Sequence, residues 1–331
     1  MNEAEFLQVY RKDIPHLRAW GDYINLLVVE GLSQKLKDSP IKDAFLRIQP
    51  IPRIKDERSI LAKAFWRGKN YKDPYGDITD KIGIRYVVLL AEHIAVVSEV
   101  ITKDGQLWNY SLDKDFERDK ERFPLMFDYQ SVHFVLKSKS TINHLGVTIP
   151  SETPCEIQIR TLLQHACCEL THDTIYKKEQ PQNAKIYRSI AKSRALAEAA
   201  DDIFSHVAES LASESQIMNN SLDELKKLYR NIRPPDYDEQ SNVFILDSIG
   251  ELAKDTNISD VRRFIFEDNP ALKDVISEKA GRSFLYRQPV VLLLYYLVQY
   301  RREKLKDLWP LPASEIQPLF TDLGISLNHE G

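Results

Sequence analysis

Residues 82–90 read IGIRYVVLL, and this stretch decides the fold class. β-Branched and aromatic residues dominate it and polar turn residues flank it, which predicts a strand. Just upstream, KNYKDPYGD (69–77) is turn-rich, with Pro74 and Gly76 as punctuation. Just downstream, Ala91 to Lys103 has helical spacing. Further strands are predicted at SVHFVLK (131–137) and PCEIQIR (154–160). Towards the N-terminus, Leu7, Tyr10, Ile14, Leu17, Trp20, Ile24, Leu27, Val28 and Leu32 recur at mostly three- and four-residue steps, so residues 1 to about 44 read as helical. Leu46 to Ile54 is extended and interrupted by proline, and Asp56 to Trp66 returns to helix. Beyond the third strand the pattern is helical from Leu162 to about Leu228. From Pro234 onward, helical segments alternate with Asn, Pro and Asp breaks. Strands followed by a helical run predict an α+β protein.

The chain has 331 residues, enough for about two domains at roughly 150 residues each. Hydrophobic residues make up 43% and charged residues 28%, the balance of a soluble globular protein. With 45 Lys and Arg against 49 Asp and Glu, the net charge of −4 excludes a uniformly basic nucleic-acid coat. The longest apolar run, Pro289 to Leu297, is far short of the roughly 20 residues a membrane span needs. The opening MNEAEFLQVYRKD has no apolar signal region, and a cytoplasmic location is expected. Cys155, Cys167 and Cys168 form no CxxC and too sparse a set for a disulfide framework, so reduced, packed cysteines are expected rather than a zinc site. There is no internal repeat.

Strand alternation separates two faces. In CEIQIR, Cys155, Ile157 and Ile159 fall on one side, and Glu156, Gln158 and Arg160 on the other. In SVHFVLK, Ser131 and His133 share a face, with Tyr129 in phase if the strand extends back. The wet side of an antiparallel sheet would produce this alternation. Such a side favours Lys, Glu and Thr, however, whereas Glu, Gln, Arg, Tyr, Ser and His together suit a substrate-binding surface.

Segment 53–63 adds cations. Arg53 and Lys55 are in phase on the extended stretch, and Ser59 and Lys63 are one turn apart on the helix after it. Ser59 falls in the first turns, where free backbone N–H groups and the helix dipole favour an anion. A polyphosphate cradle and a solvated basic face are the two readings. Neither GxxxxGK[ST] nor GxGxxG occurs, which excludes the P-loop and the dinucleotide fingerprint. Asp77, Asp80 and Arg85 surround the entry to the central strand. An Asp there suits Mg2+, but strand-end carboxylates are more often turn formers.

In order, RIKDERSILAK (53–63), DITDKIGIR (77–85), YQSVH (129–133), EIQIRT (156–161) and LLQHACCELTHDTIYK (162–177) resemble the synthetase domain of the RelA/SpoT alarmone family. The resemblance covers roughly residues 20–205. It implies a nucleotidyltransferase-like mixed β-sheet of about five strands flanked by helices. It also implies an activity: transfer of pyrophosphate from ATP to the ribose 3′-hydroxyl of GTP or GDP, with release of AMP and Mg2+ as cofactor. Carried over by motif, Arg53 and Arg85 would stack on the adenine, and Lys55, Ser59 and Lys63 would hold the ATP phosphates. Asp80 would bind Mg2+, with Glu156 as a second metal contact or as general base. Tyr129 would stack on the acceptor base, His133 would reach its phosphates and Gln158 would orient it near the ribose. His165 and Glu169 would sit at the rim of the acceptor pocket.

Two departures stand out. Asp128 precedes the key tyrosine where the family usually has Gly, and Cys167-Cys168 replaces a Trp/Ala-type pair. The resemblance has no room for the family's N-terminal HD-type hydrolase, since only His16 precedes His93. A hydrolase-free synthetase is therefore expected: residues 1–205 as the synthetase domain, 206–235 as a helical linker, and 236–331 as a helical accessory region. One alternative is a toxic relative that modifies the 3′-terminal adenosine of tRNA, with Lys185, Arg188, Lys192 and Arg194 as its basic band; a solvated helix face explains that band too. Another alternative is a non-catalytic nucleotide-binding regulator. The run VVLLLYYLVQY (290–300) is apolar nearly all round, as expected of a buried core helix or of an interface with a second copy or a regulatory partner.

Overall fold

The computed structural model describes residues 1–39, 41–68, 71–103, 105–124, 131–174, 184–234 and 236–326. The chain divides into two compact units, Met1–Val207 and Ala208–Gly331.

Unit 1 begins with helix α1 (Glu3–Lys35). A capping box starts it: the Asn2 side chain accepts from the Glu5 N–H at 2.9 Å, and Glu5 accepts from the Asn2 N–H at 2.9 Å. Phe6, Tyr10, Leu17, Trp20, Ile24, Val28 and Leu32 form its buried stripe. The helix stops at Lys35 rather than near residue 44, and Lys42–Ala44 is a separate 3-10 turn.

The strands in chain order are β1 (Arg53–Ile54), β2 (Ile82–Val88), β3 (Trp108–Lys114), β4 (Val132–Ser138), β5 (Ile142–His144), β6 (Val147–Ile149) and β7 (Pro154–Thr161). Between them run helices α2 (Glu57–Leu61), α3 (Pro74–Asp77), α4 (Glu92–Thr102) and α5 (Phe116–Arg122); after them come α6 (Leu162–Thr174) and α7 (Ala184–Tyr229). The main sheet has five strands in the order β1-β2-β7-β4-β3. Strands β2 and β7 are parallel, and the other neighbours are antiparallel. The sheet is therefore mixed, as expected.

The register explains the two faces. Ile84, Ile157 and Phe134 align across β2, β7 and β4 and are buried in one core with residues of α1 and α4. Arg85, Gln158 and His133 align on the other face. Sequence reading misses β3 because it is an edge strand: only Trp108 is buried, so no apolar alternation marks it.

Strands β5 and β6 form a small hairpin whose turn places Leu145 at φ 50° and Gly146 at φ 80°. A β-turn of this kind suits Asn-Gly, and Leu bears a steric cost in the left-handed region. Leu145 is 88% exposed and gains no burial in return. Leu145→Asn is expected to raise unfolding stability by up to about 1 kcal/mol, read by denaturant titration.

Unit 2 is helical: the C-terminal part of α7, then α8 (Glu239–Ser248), α9 (Gly250–Lys254), α10 (Ile258–Arg263), α11 (Leu272–Lys279), α12 (Val291–Tyr300), α13 (Arg302–Leu308) and α14 (Ala313–Asp322). The apolar run expected as a core helix or an interface is α12, and Val291 to Tyr295, Leu297 and Val298 are all buried in this unit's core. Residues 206–235, expected as a linker, instead supply Met218, Leu222, Leu225 and Tyr229 to the same core. Among the described residues no helix is long and apolar enough to cross a membrane.

A buried polar anchor holds α14 down. Asp322 accepts from Tyr286 Oη at 2.5 Å and Tyr295 Oη at 2.7 Å and pairs with Lys279. Asp322→Ala would strand both hydroxyls, at about 1–3 kcal/mol for each unsatisfied buried group, and lower the unfolding midpoint of unit 2.

Candidate active site

The polar face of the sheet is built in rows. Arg53 on β1 stands opposite Gly83 on β2, Gly83 opposite Glu156 on β7, and Glu156 opposite Val135 on β4. The next row is Arg85, Gln158 and His133. Side chains alternate with period two, so residues separated by dozens of positions in sequence share one surface.

Asp80 lies in the turn leading into β2 and Lys55 just past β1, where the Lys55 N–H donates to the Lys81 carbonyl at 3.0 Å. Tyr10 fixes the same place by donating its hydroxyl to the Lys55 carbonyl at 2.5 Å. Asp80 Oδ2 pairs with Lys55 and, at 2.8 Å, with Lys63 Nζ. Burial pushes the Asp80 carboxyl up, but Lys55 and Lys63 outweigh it and leave the pKa below the ordinary carboxylate value. Asp80 Oδ1 is buried and, among the described residues, meets no donor. Lys63 comes from a π-helical turn, Ala62–Trp66, that extends the short α2.

Ser59 sits in the first turn of α2. Asp56 caps α2 and accepts from the Ser59 N–H at 2.9 Å, and the Ser59 hydroxyl also holds the Asp56 carboxyl below its ordinary pKa. The N–H at this position is thus occupied by the chain's own carboxylate. The cations of this corner are Arg53, Lys55 and Lys63.

Glu156 sits at the centre. Its Oε1 lies 3.4 Å from His133 Nδ1, and its Oε2 accepts from Gln158 Nε2 at 2.9 Å. Burial pushes its carboxyl up, but hydrogen bonding and charge from His133 bring the pKa below the ordinary value, against a smaller opposing push from Asp80. The Asp80 charge is thus felt at Glu156. Gly83 keeps the space before Glu156 open: a Cβ on Gly83 would stand 3.4 Å from the Glu156 carbonyl and 3.9 Å from Oε2. His133 is itself tied at Nε2, which lies 2.7 Å from Ser131 Oγ. Gln158 Oε1 in turn accepts from Arg160, which is 2% exposed.

Arg85 projects from β2 towards α6, where its Nη1 pairs with Glu169 Oε1 at 2.7 Å and lies 3.4 Å from His165 Nδ1. Burial and then the Arg85 charge lower the His165 pKa. His165 and Glu169, expected beside the acceptor, therefore stand against an arginine expected beside ATP. Tyr129 lies outside the described residues. Gly83 and Arg160 escaped the sequence reading as site residues, although the period-two phase of β7 already aligned Arg160 with Glu156 and Gln158.

Among the described residues no group of three or more His, Cys, Asp or Glu side chains converges as a metal centre. One or two carboxylates with phosphate oxygens suffice for Mg2+, and the unpartnered Asp80 Oδ1 fits such an ion. All three cysteines lie outside disulfides, and burial pushes the Cys155 thiol well up.

Residues 52–181 match the family model described as the region found in RelA / SpoT proteins. This segment is a RelA/SpoT domain. The RelA/SpoT fold also appears in solved structures. The small alarmone synthetase 1 from Bacillus subtilis is 17% identical, with a TM-score of 0.50 over 62% of this chain and 99% of that one. The same enzyme bound to its product pppGpp is 19% identical, with a TM-score of 0.50 over 62% and 98% of the two chains. No curated protein matches the chain. The RelA/SpoT segment contains every sequence-predicted site residue, from Arg53 to Glu169.

Proposed function

We propose that unit 1 transfers pyrophosphate from ATP to the 3′-hydroxyl of GTP or GDP, making (p)ppGpp and releasing AMP. The observation that carries this reading is the Asp80 corner: a half-buried carboxylate held by Lys55 and Lys63, its buried Oδ1 without a partner among the described residues, with its charge felt at the hydrogen-bonded Glu156. The RelA/SpoT match and the fold shared with a pppGpp-bound synthetase support it. Transfer to a hydroxyl needs positioning and charge neutralisation more than covalent help. Lys55, Lys63 and Arg53 supply cations for a triphosphate. Arg85 offers a guanidinium plane for a purine. Glu156, ionised at neutral pH, is the group to take the proton of the acceptor hydroxyl. Asp80, with Glu156, would hold Mg2+, whose role when bound is to neutralise phosphate charge.

Incubation with labelled ATP and GTP, GDP, ATP or deacylated tRNA tests the proposal. Label in the guanosine nucleotides supports it. Label in tRNA alone would overturn it in favour of an RNA acceptor, for which exposed Lys185, Arg188 and Lys192 on α7 are the candidate contacts. No transfer to any acceptor would return the protein to a nucleotide-binding regulator.

The same carboxylates contribute to the acid sensitivity of unit 1. The folded pKa values of Asp80 and Glu156 lie below their ordinary values. Their stabilisation is therefore complete above the ordinary carboxylate range and is lost as pH falls through the depressed values. Thermal melts are expected to be flat near neutrality and to drop in acid, with a shallower drop in Asp80→Asn.

A further inference from the structure

We propose that Arg160 is a positioning residue for Glu156, acting through the Gln158 side-chain amide; the inference rests on the reading of Glu156 as the proton acceptor. Glu156, Gln158 and Arg160 occupy successive same-face positions of β7, and each touches the next: Arg160 Nη2 donates to Gln158 Oε1, and Gln158 Nε2 donates to Glu156 Oε2 at 2.9 Å. An amide has two near-isosteric orientations, and only one presents a donor to the carboxylate. A guanidinium carries donors and no acceptor, so Gln158 must turn its oxygen to Arg160 and its NH2 to Glu156. In the flipped orientation the amide oxygen would oppose Glu156 Oε2, acceptor against acceptor. His133 fixes the other oxygen, with Nδ1 3.4 Å from Oε1. The carboxylate is thus clamped from both sides, with Gly83 its neighbour on β2.

Arg160 is 2% exposed, at the end of the row away from Arg53 and Lys55. Burying a guanidinium carries a large desolvation cost that an apolar residue of similar length would avoid. Orienting the amide is a role that such a residue cannot fill. Lys supplies donors only, as Arg does, and an ammonium at that position preserves the orientation; Met does not.

The test is a kinetic cycle on the full chain with Arg160→Met, Arg160→Lys, Gln158→Leu and the Arg160→Met/Gln158→Leu pair, each checked for a wild-type circular dichroism spectrum. Arg160→Met is expected to lower kcat about ten- to a hundredfold, the scale of a small misplacement, with KM for ATP unchanged. Arg160→Lys restores most of the loss. Gln158→Leu costs a similar factor, and adding Arg160→Met to it costs nothing more. Full kcat in folded Arg160→Met or in Gln158→Leu would overturn the relay. So would additive losses in the pair, or a rise in KM for ATP alone, which would make Arg160 a substrate contact. Should Arg160→Met fail to fold, the Gln158→Leu and Arg160→Lys values still decide: full activity in the first or a full loss in the second sinks the proposal. Failure of the underlying reading has a separate signature, normal turnover in Glu156→Gln.

Discussion

Glu156→Gln is expected to lower kcat by about a hundred- to ten-thousandfold while ATP affinity stays within a factor of about two. The substitution keeps the shape of the side chain, removes its charge and basicity, and turns one acceptor oxygen into a donor. Glu156 lies at the middle of the polar face, held by His133 and Gln158, whereas Lys55 and Lys63 approach the face at Asp80. Loss of the carboxylate therefore leaves the cations of the triphosphate site in place. Single-turnover transfer of label from ATP, with ATP binding measured by calorimetry, separates the two effects. Turnover near wild type would remove Glu156 from the chemistry.

Asp80→Asn is the second variant of large effect, and its signature differs. The two lysines converge on one oxygen of Asp80, and without its charge they repel each other. The side chain of Asp80 is 13% exposed and those of Lys55 and Lys63 are 24% and 21% exposed, so the pair lies between the exposed and buried limits. A stability loss of about 1–3 kcal/mol follows. Turnover should fall about a hundred- to a thousandfold, the scale for removing one preorganised electrostatic group. Affinity for ATP in the absence of Mg2+ should rise, because the lysines are released to the phosphates, and the Mg2+ dependence of binding should flatten. Unchanged Mg2+ dependence would place the ion elsewhere.

Much of this arrangement is legible in the sequence because period-two alternation survives in β2, β4 and β7, where Ile82, Ile84, Tyr86, Val132, Phe134, Leu136, Ile157 and Ile159 face one core. The Glu156, Gln158 and His133 face could be read the same way, before any register was known. The edge strand β3 could not, because an edge buried only at Trp108 needs no apolar pattern. Periodicity also does not show that Asp56, which caps α2, takes up the Ser59 N–H. The linker expectation failed because Pro234 was taken as the start of a new body, whereas α7 had already contributed Tyr229 to the second core. Pairwise facts such as Arg85 against Glu169 depend on side-chain reach across elements, and periodicity carries no information on that.

Strand β7 is the last of the sheet strands in the chain, yet it occupies the middle of the order β1-β2-β7-β4-β3. During synthesis, β2 and β4 emerge with no neighbour between them, and the gap closes only when β7 inserts. The lysine corner can form early, since β1 and β2 are adjacent, but the opposing carboxylate arrives with the wedge itself. A nascent chain therefore cannot bring Glu156 to the lysine corner, or carry out the proposed transfer, until β7 has left the ribosome.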